Sequence, residues 1–115
     1  AILAASALAT SVMLWLLAPQ VEWYRGLSGA LHGLFAAGAV FWLARSARRL
    51  EPRSWRNAAA PALLLALVWA KVLAERLGGG PIANENWLGV AVITEAHLFG
   101  AAAGTIVAVF ALAAL

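Results

Sequence analysis

Ser28 is the first residue of the chain whose type and setting could do covalent chemistry. It stands in the segment Gly26-Leu27-Ser28-Gly29, where a short polar stretch gives way to an apolar one. The glycines leave the backbone bare, which permits a tight entry into a helix and close approach of a peptide. A serine hydroxyl there can act as a nucleophile if a base lies beside it. The structural alternative is that Ser28 lines a helix contact, as small residues often do in membranes.

His32 and His97 are the two candidates for that base. His32 follows Ser28 by four residues, so the two side chains share one helix face. His97 stands far along the chain in a second stretch of small residues, 96–104. Ionisable residues inside membrane helices are rare and usually functional, whereas a histidine hydrogen-bonded across a bundle is the structural alternative.

The residue types predict a dyad rather than a triad. The chain contains no aspartate, and Glu95 would point to another side of its helix from His97. Ser28 is then the nucleophile and His97 the general base and later the acid. The Ser28 backbone N–H, two residues after Gly26, is expected to donate to the oxyanion.

Other catalytic classes fit the sequence less well. It has no His-Glu-x-x-His zinc motif, and an aspartyl dyad needs aspartates. Two histidines alone give too few ligands, so no metal and no cofactor is expected. Lys71 could act as a Ser-Lys base, but Glu75 follows it by four residues. Lys71 is expected to pair with Glu75 and to extend outward.

The composition shows which solvent surrounds these residues. Of the 115 residues, 64% are hydrophobic and 11% are charged, which is too little polar surface for a soluble globule. We predict an all-α, polytopic transmembrane helix bundle in contact with the lipid bilayer. The absence of cysteine rules out disulfides and thiolate chemistry. Because the chain opens inside an apolar run, without an initiator methionine or a signal peptide, we expect a fragment of a longer protein.

Four spanning helices are predicted in one domain, 1–115, at approximately 1–17, 28–44, 58–77 and 95–114. Pro61 is placed in the first turn of the third helix, which should end at the glycines before Pro81. A single helix from Trp87 to the end of the chain would be roughly 43 Å long, against a hydrocarbon core of about 30 Å. We therefore predict an outer loop over 84–93 that is extended at 90–93, with Thr94 as the N-cap of the fourth helix.

The arginines indicate the orientation. The loop between the second and third helices carries Arg45, Arg48, Arg49, Arg53 and Arg56, which predicts a cytoplasmic loop. A short loop between two membrane helices can contact only a small part of a nucleic-acid duplex, so nucleic acid is not the expected partner. The opposite ends of the helices, with the aromatic pair Trp23 and Tyr24, should lie at the outer surface.

Small residues predict how the two candidate catalytic helices meet. Both helices enter from the outer side, so Ser28 and His97 should lie at a similar depth. Gly100 and Gly104 give one helix a face that allows close approach. On the other helix the matching stripe is Gly29, Gly33, Ala37 and Gly38.

These residues resemble the rhomboid intramembrane serine proteases. That family carries Gly-x-Ser-Gly at the start of its fourth core helix, matched by Gly26 to Gly29, and Ala-His-x-x-Gly-x-x-x-Gly in its sixth, matched by Ala96 to Gly104. The lead-in with Arg25 is most similar to the rhombosortase subgroup, which is associated with C-terminal Gly-Gly sorting tails.

The resemblance implies that the chain holds core helices three to six. The family's oxyanion histidine and asparagine come from its second helix and have no matching positions here. His32 stands where rhomboids commonly have an aromatic residue packed against the catalytic histidine, and we expect it to stack there. Arg25 stands where many members have a small residue, and a cation there could meet a substrate carboxylate or a lipid phosphate.

The expected function is therefore that of an intramembrane serine endopeptidase. Its substrate would be a transmembrane or C-terminally anchored protein, cut near the periplasmic face of a bacterial inner membrane. The first alternative is a catalytically inactive rhomboid-like binding protein or chaperone, and the second is a helical subunit of a transporter. Retention of both Ser28 and His97 favours the enzyme, since an inactive relative needs neither.

Overall fold

The computed structural model describes residues 2–21, 27–48, 54–81 and 92–114, with the backbone alone at 54–56, and these residues form four helices. They are α1 (Ile2–Leu17), α2 (Ser28–Ala47), α3 (Ser54–Gly78) and α4 (Thr94–Ala113). Within the described ranges there is no strand. The predicted helical membrane bundle is confirmed.

Three of the helices are long and apolar enough to cross a membrane: α2, α3 over Asn57–Gly78, and α4. The helix α1 is equally apolar but has 16 residues, which gives a length of about 24 Å. The hydrocarbon core of a bilayer is about 30 Å thick. Three of the four predicted spans therefore meet the length criterion, and the fourth stays a prediction.

The start of α3 differs from the prediction. The helix begins at Ser54, so Pro61 lies inside it and not in its first turn. A proline at that position has no N–H to donate to the carbonyl of Asn57, four residues before it. The hydroxyl of Ser46 in α2 donates to this carbonyl instead, at 3.2 Å. The neighbouring helix thus supplies the hydrogen bond that the proline removes.

The predicted glycine stop of α3 is confirmed. Gly79 has a φ of 74°, a left-handed conformation that costs glycine little. The N–H of Gly80 then donates to the carbonyl of Glu75 at 3.2 Å and closes the last turn. This closure fixes the backbone at Glu75, whose side chain enters the site described below.

The prediction that Thr94 caps α4 is wrong. The cap residue is Ile93, with extended angles of φ −92° and ψ 98°, and Thr94 is already helical. The Thr94 hydroxyl donates to the carboxylate of Glu95 at 3.5 Å and not to the helix backbone. Of the predicted extended segment 90–93, positions 90 and 91 lie outside the described residues.

A small apolar cluster closes the end of the bundle where α4 begins. Leu14 and Ala18, at the end of α1, are buried together with Ala96 of α4. Ile93 and Phe99 are partly buried against them. The segment that leads into α4 therefore packs onto the helices, as predicted for Ile93.

The helices α2 and α4 run parallel and nearly touch. A Cβ atom on Gly29 would lie 2.6 Å from the carbonyl oxygen of Ala96. A Cβ on Gly100 would overlap the carbonyl of Gly29, and one on Gly104 would overlap that of Gly33. Contacts that advance together along both helices mean that the two begin at the same end of the bundle. The predicted close approach through Gly100 and Gly104 is confirmed.

The predicted small-residue stripe on α2 is correct only in part. Ala37 is fully buried, but a Cβ on Gly38 would meet nothing within 4 Å. Gly38 therefore does not take part in the contact.

Several predicted positions lie outside the described residues: Trp23, Tyr24, Arg25, Gly26, Arg49 and Arg53, the side chain of Arg56, and the loop 84–91. Arg45 and Arg48 are described and are exposed at the C-terminal end of α2.

Candidate active site

Ser28 is the first residue of α2, as the sequence predicts. The backbone of Leu27 serves as the cap without a side-chain hydrogen bond. Backbone N–H groups in the first turn of a helix have no acceptor within the helix, and that of Ser28 belongs to this group. The Ser28 side chain is partly exposed, so a hydroxyl nucleophile here can be reached.

His97 lies in the first turn of α4 and is buried, with 4% of its surface exposed. Its ring stacks on that of His32, with 4.2 Å between ring centroids and 19° between ring planes. The expected contact between the two histidines is confirmed. Because the close contact of α2 and α4 begins at Gly29 and Ala96, His97 stands at the level of the first turn of α2.

His32 is tied to its own helix. Its Nδ1 atom lies 2.7 Å from the carbonyl oxygen of Ser28. A carbonyl only accepts, so the ring is assigned the proton at Nδ1 and donates it. The ring is thus fixed flat against His97 and does not turn towards the Ser28 hydroxyl through Nδ1.

Glu75 of α3 is the residue that the sequence reasoning missed. Its Oε2 atom lies 2.7 Å from Nδ1 of His97, and 1% of its surface is exposed. An ionised carboxylate accepts and does not donate, so the His97 Nδ1–H donates to Glu75. This bond leaves Nε2 as the ring nitrogen that can take a proton from a hydroxyl.

Lys71 completes the cluster as its partly exposed member. Its Nζ atom donates to Oε1 of Glu75 at 2.7 Å, which confirms the predicted pair. The Lys71 side chain is 38% exposed, and its Nζ atom lies 3.3 Å from His97 Nδ1, so its outward extension stays a prediction. The His97 Nδ1 proton already points at Glu75, so the lysine contact is a close approach of two donors.

Two sequence signals could have located this cluster. A Lys and a Glu four residues apart in an apolar helix are costly in a membrane, so a buried partner is expected. The predicted end of α3 also placed Glu75 near the level where α4 begins. Glu95 does not take this role, since its carboxylate accepts from Thr94.

No hydrogen bond joins the Ser28 hydroxyl to the His97 ring, although both residues lie in the described part of the chain. The helices bring the two residues to neighbouring positions without closing that bond. In substrate-free enzymes such bonds are often long and tighten only when the substrate is bound.

A cavity of about 430 Å³ lies between α2 and α3 beside Ser28. Its walls are mostly aliphatic and aromatic side chains, including Phe35, Leu64 and Val68. Ser28, His32 and Lys71 are its polar lining residues. A space of this volume with apolar walls and few polar groups suits an apolar ligand segment.

The described residues contain no cluster of three or more histidine, cysteine or acidic side chains that could hold a metal ion.

In a comparison with protein families, a model described as the rhomboid domain matches residues 1–114. Comparison with curated proteins and with solved structures gives no significant match.

Proposed function

Because the chain belongs to the rhomboid family, whose members are generally intramembrane serine proteases, we propose that it is a serine endopeptidase that cuts a membrane-anchored protein. The observation that supports this best is the placement of His97. Its ring is buried on α4, and the start of α4 packs against the start of α2. The ring stacks on His32, which follows Ser28 by about one helical turn. The nucleophile and the base of a serine protease need this proximity.

The reaction follows the dyad chemistry. The Ser28 Oγ attacks the carbonyl carbon of the scissile peptide, and its proton moves to Nε2 of His97. His97 then gives that proton to the leaving amine, the C–N bond breaks, and an ester on Ser28 remains. Water attacks the ester while His97 takes one of its protons. The carboxylic acid leaves, and His97 returns the proton to Ser28.

The negative oxygen of the tetrahedral intermediate needs hydrogen-bond donors. The backbone N–H of Ser28 is one candidate, because it belongs to the first turn of α2. Gly26 and Gly29 stand on either side of Leu27-Ser28 in the sequence, and Gly29 is where α2 packs against the backbone of α4. The Gly-x-Ser-Gly motif suggests the same role for the Ser28 backbone N–H, donation to the oxyanion.

The substrate we propose is a transmembrane or C-terminally anchored protein. The apolar cavity beside Ser28 suits a hydrophobic peptide segment. The cluster of arginines supports a cytoplasmic loop, and with it a periplasmic position for Ser28 in a bacterial inner membrane. The similarity around Arg25 to the rhombosortase subgroup suggests a Gly-Gly sorting tail.

A pair of reporter proteins tests the proposal. Each reporter carries a periplasmic domain and a C-terminal membrane tail, and they differ in having Gly-Gly or Val-Val before the tail. Expressed with the protein, the Gly-Gly reporter should be released, and the Ser28→Ala variant should release none. Equal release of both reporters would contradict specificity for a sorting tail. Release by the Ser28→Ala variant would contradict the assignment of Ser28 as the nucleophile.

A second candidate function is that of a rhomboid-like protein that binds membrane segments without cutting them. The observation that favours it is the missing hydrogen bond between Ser28 and His97. Such a protein would bind the anchored reporter in a pull-down but leave it intact, and Ser28→Ala would bind equally well.

A further inference from the structure

We propose that Glu75 is a positioning residue for His97, the general base of the Ser28–His97 pair. The catalytic part of this proposal, that Glu75 assists His97 as a base, rests on the proposed function. Its structural part is the hydrogen bond of 2.7 Å between His97 Nδ1 and Glu75 Oε2. The prediction of a dyad, made because the chain lacks aspartate, overlooked this glutamate.

The backbone carbonyl and both carboxylate oxygens of Glu75 accept hydrogen bonds. Its backbone carbonyl accepts from the N–H of Gly80 in the turn that ends α3. Its Oε1 atom accepts from Lys71 and its Oε2 atom from His97. A carboxylate with 1% exposure loses most of its hydration, and the two donors replace it.

The hydrogen bond has a chemical consequence for His97. A neutral imidazole carries one proton, and Glu75 selects Nδ1 as its place. The unprotonated Nε2 can then accept the Ser28 proton. In the resulting imidazolium both nitrogens carry protons, and the carboxylate beside Nδ1 stabilises the new positive charge. No proton passes to Glu75.

The stacked ring of His32 fixes the plane of His97, whereas Glu75 fixes its rotation within that plane. The stack and the hydrogen bond together hold the ring. Lys71 also lines the cavity beside Ser28, but Glu75 is not among the lining residues. Substitution of Glu75 should therefore reduce kcat and leave KM nearly unchanged.

The tautomer of His97 tests the structural part without any substitution at Glu75. In protein labelled with ¹⁵N-histidine and held in lipid nanodiscs, His97 should carry its proton on Nδ1 in the neutral state. The His32→Phe variant assigns the signals, since it leaves His97 as the one histidine in the chain. A neutral His97 that carries its proton on Nε2 would overturn the proposal.

The catalytic part is tested by the rate at which a fluorophosphonate labels Ser28. Glu75→Gln keeps the shape but loses the carboxylate, and we expect labelling to slow by on the order of 100-fold or more. Glu95→Gln is the matched control: it makes the same chemical change near His97 in sequence, and should label as wild type does. In Glu75→Gln the Nδ1–H signal of His97 should also weaken, and in Glu95→Gln it should not.

The outcomes separate the two proposals. Wild-type protein that is never labelled at Ser28 overturns the proposed function, whatever the histidine spectra show. Labelling that is equally fast in wild type and Glu75→Gln overturns the role of Glu75 alone. A partial recovery in Glu75→Asp would support positioning, because the carboxylate returns on a shorter side chain.

Discussion

At the scale of residues, His97 is the centre of the site, and its neighbours differ in what they contribute. His32 offers a flat surface, Glu75 an acceptor, and Lys71 a counter-charge to that acceptor. Each neighbour comes from a different position on α2 or α3, so a single histidine on α4 is fixed by two other helices.

The stack predicts how His32 variants behave. His32→Phe keeps a planar ring against His97 and should retain a measurable fraction of cleavage, since it loses the hydrogen bond to the Ser28 carbonyl and not the stack. His32→Ala removes both and should cut more slowly. His97→Ala should abolish cleavage as Ser28→Ala does. Reporter cleavage measures all four. An inactive His32→Phe beside a normally active His97→Ala would reverse the two roles.

Residue-level sequence reasoning predicted part of this site. Ser28 and His97 stand in motifs, and the stack of His32 on His97 followed from the family resemblance. Glu75 was assigned only to Lys71, because a four-residue spacing within one helix is visible in sequence. Its second partner lies 22 residues away on another helix, and no local pattern reports such a contact.

At the scale of elements, the contact between α2 and α4 carries the site. Backbone approaches backbone at Gly29, Gly33, Gly100 and Gly104, which brings the first turns of both helices together. Hydrophobicity alone does not drive helices together in lipid, so close packing of this kind is what holds them.

This contact predicts a contrast between two glycine substitutions. In Gly100→Ala the new methyl group overlaps the carbonyl of Gly29, so the helices must separate. We expect a loss of roughly 1–3 kcal/mol in the free energy of unfolding, and slower Ser28 labelling. Gly38→Ala meets nothing within 4 Å and is the control, expected to be neutral or slightly stabilising. Unfolding in mixed micelles measures both. An equal loss in the two variants would contradict the backbone contact.

The link between Ser46 and Pro61 gives a prediction about the opposite end of the bundle. Ser46→Ala leaves the Asn57 carbonyl without this donor and should cost about 1 kcal/mol of stability. In a Pro61→Ala background the helix has its own N–H for that carbonyl, so Ser46→Ala should cost less. A double-mutant cycle of unfolding free energies tests the coupling. Equal costs in both backgrounds would show that Ser46 does not replace the missing N–H.

Element boundaries were predicted best where glycine or a turn residue ends a helix, as at Gly79. They were predicted less well at the start of α3, where Pro61 was read as a first-turn residue. A hydroxyl from α2 makes a proline tolerable deeper in the helix, and sequence cannot show which neighbour supplies it. Thr94 likewise looked like a cap because its side chain often caps, yet it bonds to Glu95 here.

At the scale of the whole molecule, the parallel course of α2 and α4 puts Ser28 and His97 at one end of the bundle. Arg45 and Arg48 lie at the other end of α2. If the arginine end faces the cytoplasm, the end that carries Ser28 and His97 faces the periplasm.

Cysteine labelling tests this orientation. The chain has no cysteine, so single cysteines at positions 49 and 84 carry no background within these 115 residues. In intact spheroplasts an impermeant maleimide should label Asn84→Cys and should label Arg49→Cys only after the membrane is opened. Preferential labelling at position 49 in intact cells would place the site on the opposite side.

The central claim is that Ser28 and His97 act together as nucleophile and base, and covalent labelling in membranes tests it most directly. A fluorophosphonate should attach to the wild-type protein, and peptide mass spectrometry should locate the adduct on Ser28. Ser11→Ala is the control, since that exposed hydroxyl donates to its own helix at 3.0 Å from the carbonyl of Ala7, and it should label normally. His97→Ala should label at least about 100-fold more slowly. An adduct on another serine, or Ser28 labelling that is unchanged in His97→Ala, would contradict the account.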